Sequence, residues 1–69
     1  MRTKLVSLRK AMGLSQKTAA DKLQLSRSHY SQIESGDKTP SLEVALRIKQ
    51  TFNYSNDDIF LNVLAPDKG

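Results

Sequence analysis

Only two residues, Gln24 and Leu25, separate one helical stretch from Ser26, the serine that opens the next. A connection this short makes the flanking helices cross at close range, which calls for a small residue at the crossing and apolar residues around it. Ala20 supplies the small residue, and Leu23, Leu25, Tyr30 and Ile33 are spaced to lock the crossing.

The rest of the chain carries the same punctuation. Leu5, Leu8 and Met12 recur at helical spacing and predict a first helix from about Thr3 to Met12, with Gly13 suited to the position just past its end. Ser15 reads as the N-cap of a second helix through Leu23, whose inner face holds Ala19, Ala20 and Leu23. Ser26 caps a third helix from Arg27 to Ser35, ended by Gly36. After the loop Asp37-Lys38-Thr39-Pro40, Ser41 caps a fourth, about Leu42 to Phe52. Its apolar residues Leu42, Val44, Ala45, Leu46, Ile48 and Phe52 cover more than half its circumference and predict a helix central to the core. Ser55-Asn56-Asp57-Asp58 resembles a capping box for a last short helix through Phe60 or Leu61.

These 69 residues suffice for one domain, 1–69, without repeat, low-complexity tract or linker. With no cysteine, disulfides and thiolate metal sites are excluded, so helix packing or dimerisation must supply stability. No apolar run suits a signal peptide or a membrane span, and a cytoplasmic location is expected. Ten basic and four acidic residues give residues 1–54 a balance of +6, against −2 for residues 55–69. A basic body suits an anionic partner, nucleic acid being the commonest, although a solvated surface explains mild basicity equally well.

Stepping along the third helix at about 100° per residue turns Tyr30 and Ile33 inward together and Ser28, Ser31, Gln32 and Ser35 outward, with Arg27 at the edge. Serines let such a helix lie close to DNA, while Arg27 and Gln32 are long enough to reach base edges. Arg matches guanine O6 and N7, and Gln matches adenine N6 and N7. Arg27, Ser28, Ser31 and Gln32 are therefore the expected base contacts. Phosphate contacts are expected from Ser15 and Gln16 at the open amides of the second helix, and from Ser35, Lys38 and Thr39 after the third. Lys10, Lys17 and Arg2 are weaker candidates. His29, the single histidine, lacks the partners for a metal site, and Ser28 or Ser31 beside it makes no nucleophilic triad. No metal, cofactor, small-molecule ligand or enzymatic activity is expected.

The stretch Leu8-Arg9, Gly13-Leu14-Ser15-Gln16, Ala20, Leu23, Ser26-Arg27, Ser31-Gln32-Ile33-Glu34-Ser35-Gly36, Pro40-Ser41-Leu42, Ile48 and Phe52 resembles the lambda-repressor-like, Cro-type helix-turn-helix family over roughly residues 5–61. The resemblance implies an all-α, compact five-helix domain with its reading unit at 16–35. It also implies dimers on palindromic operators of double-stranded DNA, and repressor roles in phage, plasmid or restriction–modification control. Position by position it assigns Gln16 to a phosphate, Arg27, Ser28 and Gln32 to bases, and Ser35 and Lys38 to the DNA backbone. Arg9 and Glu34 match the family's structural ion pair. The chain departs from the family at Gln24, where glycine is common, at Ala19, where leucine is frequent, and at Lys49, usually a small residue.

The apolar tail Leu61-Asn62-Val63-Leu64-Ala65-Pro66 either packs on its own domain or pairs as a strand across a dimer. The dimer role is preferred. The chain leaves no room for a separate dimerisation domain, so residues 55–66 are the expected homodimer segment, with Phe60, Leu61, Val63 and Leu64 at the interface. A second function class is a protein-binding module, such as an antitoxin or anti-repressor, whose tail engages another protein.

Overall fold

The computed structural model of the protein describes residues 1–60. Four α-helices follow one another, α1 (Thr3–Ala11), α2 (Gln16–Leu23), α3 (Arg27–Ser35) and α4 (Leu42–Thr51), and a single 3-10 turn spans Asp57–Phe60. Each of the three predicted serine caps is made. Ser15 Oγ accepts from the Thr18 amide at 3.1 Å, Ser26 Oγ from His29 at 3.0 Å, and Ser41 Oγ from Val44 at 3.2 Å. Such a cap satisfies an otherwise orphaned amide and contributes about 1 kcal/mol.

Three of the four helices end in the same way. The amides of Leu14, Leu25 and Tyr54 reach back five residues to the carbonyls of Arg9, Ala20 and Lys49, at 3.1, 2.9 and 2.9 Å. This reversal needs a left-handed residue just before the returning amide. Gly13 (φ 72°), Gln24 (φ 60°) and Asn53 (φ 53°) fill that place. Glycine does so without strain, whereas Gln24 holds a conformation that costs a side-chain-bearing residue about 1–2 kcal/mol. The two-residue turn between α2 and α3 depends on Gln24 accepting it.

The core consists of Leu5, Ala19, Ala20, Leu23, Tyr30, Ile33, Ile48, Phe52 and Ile59. Ala19 and Ala20 of α2 and Tyr30 of α3 are fully buried in this same core. Two expectations are corrected. First, α4 is not central. Within it only Ile48 is buried, while Leu42 is 77% and Leu46 48% exposed. Its apolar stripe is wider than its neighbours can cover, because the helix packs mainly along α2 and leaves its far side to solvent. Met12 is exposed as well, at the C-terminal end of α1.

Second, the fifth helix is only a 3-10 turn. Asn56 rather than Ser55 caps its start, Oδ1 accepting from the Asp58 amide at 2.9 Å. No strand occurs among the described residues. The strand expected of the tail, and the interface residues Leu61, Val63 and Leu64, lie outside them.

The 3-10 turn is held down by charge. Lys4 Nζ pairs with Asp58 Oδ2 at 2.9 Å, Tyr54 donates its hydroxyl to Asp58 Oδ1 at 2.8 Å, and Lys49 pairs with Asp57 at 2.7 Å. Lys4 and then Tyr54 hold the Asp58 carboxyl below its ordinary value of 3.8. A group depressed in this way adds stability that is full above the unfolded value and lost as pH falls through the lower folded value. Asp58→Asn is therefore expected to melt slightly below wild type near neutral pH. The two melting curves should converge on acidification below about pH 4, as thermal unfolding across that range will show.

Candidate nucleic-acid interface

The helix α3 divides cleanly into two faces. Tyr30, Ile33 and Glu34 are fully buried, while Arg27 and Ser28 are exposed and Ser31 and Gln32 half-buried on the other side. The four predicted base-contacting residues, Arg27, Ser28, Ser31 and Gln32, line one shallow concavity. Arg27 and Ser28 stand at the N-terminal end of α3, the end that meets base edges when such a helix enters the major groove.

Behind this surface lies the group that fixes its position. The Glu34 carboxylate, 1% exposed as a residue, accepts from Arg9 Nε at 2.6 Å, from Arg9 Nη2 at 3.4 Å and from Gln16 Nε2 at 3.0 Å. Arg9 Nη1 also donates to the Leu14 carbonyl at 2.8 Å. One carboxylate thus joins α1, the start of α2 and the last turn of α3. The hydrogen bond to Glu34 raises the pKa of Arg9 further. Burial, reinforced by the Glu34 carboxylate, pushes the Tyr30 phenol up, and its hydroxyl has no hydrogen-bond partner among the described residues.

The expected phosphate contacts are arranged around α3. Ser15 is exposed at the start of α2, where its hydroxyl donates to Thr18 Oγ1 at 3.0 Å while capping the helix. The side-chain nitrogen of Gln16 is turned toward Glu34, which sets the start of α2 beside the end of α3. Ser35, exposed, donates to the Gln32 carbonyl at 3.0 Å and accepts from the Asp37 amide at 3.3 Å. Lys38 and Thr39 are exposed on the following loop, whose path is set by the Lys38 amide bonding to the Gln32 carbonyl at 3.1 Å. Lys10 is exposed, and Lys17 forms an exposed pair with Asp21 at 3.2 Å.

Arg2 requires a correction. It does not face outward as a phosphate contact but is 4% exposed, with its guanidinium spent on backbone carbonyls. Leaving water lowers its pKa. Sequence reasoning also missed Arg47, which pairs with Glu43 and donates to the Leu23 carbonyl at 2.9 Å, tying α4 to the end of α2. The Glu43–Arg47 spacing is visible in the sequence, but the target carbonyl is not.

Comparison with known proteins agrees with this geometry. Residues 5–59 match a family model described as helix-turn-helix. The chain belongs to the Cro-type helix-turn-helix family. The uncharacterized HTH-type transcriptional regulator YgzD of Bacillus subtilis (strain 168) is 35% identical over 60 residues, covering 87% of this chain and 91% of that one. An uncharacterized HTH-type transcriptional regulator of Archaeoglobus fulgidus is 33% identical over 61 residues, 88% and 87% of the two chains. No solved structure matches at a comparable level. The Cro-type helix-turn-helix family consists of DNA-binding transcriptional regulators rather than enzymes. Among the described residues no group of side chains has the makings of a metal site, and no helix is long and apolar enough to cross a membrane.

Because Glu34 has little access to water, removing its cation leaves a buried charge unpaired. Arg9→Ala is expected to cost about 3–5 kcal/mol of stability, and to weaken DNA binding through loss of folded protein. Thermal melting checks this, and a variant that melts with the wild type contradicts it.

Proposed function

We propose that this helix-turn-helix protein is a sequence-specific repressor that binds an inverted-repeat operator as a homodimer. The single observation carrying the reading is the composition of the concavity on α3. Two side chains able to make bidentate base contacts, Arg27 and Gln32, sit with two small serines on the face opposite the buried one. In this reading Arg27 reads guanine, Gln32 reads adenine, and Ser28 and Ser31 allow close approach. The amides and hydroxyls around Ser15 and Gln16, together with Ser35, Lys38, Thr39, Lys17 and Lys10, anchor the DNA backbone.

Dimerisation is supported by the burden of specificity. One α3 reads only a few base pairs, and a second copy related by two-fold symmetry doubles the site at half-site spacings of about 10 base pairs or a multiple of that. Phe60, half-buried against the core at the end of the 3-10 turn, leads into the apolar residues Leu61, Val63 and Leu64, which are the proposed contact between copies.

Selection of bound sequences from a randomised DNA pool tests the proposal. An enriched inverted repeat supports a symmetric sequence-reading dimer, and enrichment of nothing above background refutes it. On the selected site, Arg27→Ala and Gln32→Ala are each expected to lose about 1–3 kcal/mol of discrimination at one base pair per half-site. With three or four phosphates neutralised per subunit, log affinity should fall against log salt with a slope of about −5 to −7. A flat salt response contradicts the backbone contacts.

A further inference from the structure

Arg2, the second residue of the chain, has an unusual set of partners. Its Nη1 donates to the Ile33 carbonyl at 2.5 Å and to the Lys38 carbonyl at 3.0 Å, and its Nε to the Phe60 carbonyl at 3.0 Å. The Arg2 amide adds a bond to the Glu34 carbonyl at 2.8 Å. Among the described residues it forms no ion pair with a carboxylate. A nearly buried cation without an acid partner is costly unless its protons are matched by acceptors. Here the acceptors are carbonyls at the C-terminal ends of α3 and of the 3-10 turn, where unpaired carbonyls carry partial negative charge, plus one from the connecting loop.

The loop carbonyl matters most. The ends of α1, α2 and α4 close by a five-residue reach-back, but α3 closes differently. The Lys38 amide reaches back to the Gln32 carbonyl, and the returning chain is wider by one residue. Asp37 and Lys38 therefore sit on a bend one residue longer than those at the other helix ends, and Arg2 grips that bend through the Lys38 carbonyl. The same nitrogen holds Ile33 on α3.

We infer that Arg2 is a positioning residue for DNA binding, fixing the Lys38–Thr39 loop against the end of α3 so that the loop is set in place before DNA arrives. Preorganisation of this kind raises affinity by removing the ordering cost from the binding step. The inference rests on the phosphate role proposed above for Lys38, so the test separates the two. A lysine ammonium carries its three donors on one compact nitrogen and does not reproduce a planar fork spread over three separated carbonyls, which makes Arg2→Lys the informative change at constant charge.

In the free protein, amide hydrogen exchange is measured for wild type and Arg2→Lys. The Lys38 amide is expected to exchange at least tenfold faster in the variant, while Ala20 and Leu23 in α2 stay within twofold. Unchanged exchange at Lys38 overturns the inference, and so does an equal rise throughout α2, which makes Arg2 a general stabiliser. Affinity for the selected operator is then compared for wild type, Arg2→Lys, Lys38→Ala and the double variant. Arg2→Lys is expected to weaken binding about tenfold, and the double variant to bind within twofold of Lys38→Ala. Wild-type affinity in Arg2→Lys, or losses that multiply in the double variant, overturn the role in binding. If Lys38→Ala binds like wild type, the phosphate reading of Lys38 fails and the role in binding falls with it. The exchange result then still decides separately whether Arg2 orders the loop.

Discussion

The structure depends on a single buried carboxylate. Glu34 takes three hydrogen bonds from Arg9 and Gln16, so three helices meet at one charge in a place with almost no water. Removing ions from water costs several kcal/mol each, and that cost is offset only when every acceptor position is filled in good geometry. This makes the junction demanding about position. The angle at which α3 leaves the core follows from it, and with that angle the direction in which Arg27 and Gln32 project. A hydrophobic contact at the same point would hold the helices together over a wider range of orientations.

Helix ends supply the second layer of control. The reversals at Gly13, Gln24 and Asn53 turn the chain within two or three residues, and the three serine caps start the next helix or commit the chain to it. At Gln24 the left-handed backbone is held against its cost because the Leu25 amide bond, Leu23 in the core and the Arg47 bond to the Leu23 carbonyl all act on the same turn. The outward face of α3 is consequently carried by a rigid body, which is what base reading needs from a surface of short and medium side chains.

Much of this was legible in the residues. The caps at Ser15, Ser26 and Ser41 follow from local chemistry, the inward turn of Tyr30 and Ile33 from the helical period, and both survive folding because neighbouring residues decide them. The pairing of Arg9 with Glu34 became visible only through resemblance, since 25 residues separate the partners. What could not be read depended on distant backbone. Arg2 looks like a surface cation until the ends of two helical segments bring their carbonyls to it. Leu42 and Leu46 look like core because period alone does not say how much of a stripe the neighbours will cover. The last segment is a 3-10 turn capped by Asn56 where the residues suggested Ser55, because either side chain can take an amide at that point.

An amide NMR titration of the full chain with an operator duplex tests most directly whether the outward face of α3 meets DNA. The largest shifts are expected on three segments: Ser15 to Lys17, Arg27 to Gln32, and Ser35 to Thr39. The buried residues of α2 and the exposed side of α4 should move little. Shifts concentrated on Leu42 to Tyr54, with α3 unaffected, would contradict the central claim that the outward face of α3 is the surface that reads DNA.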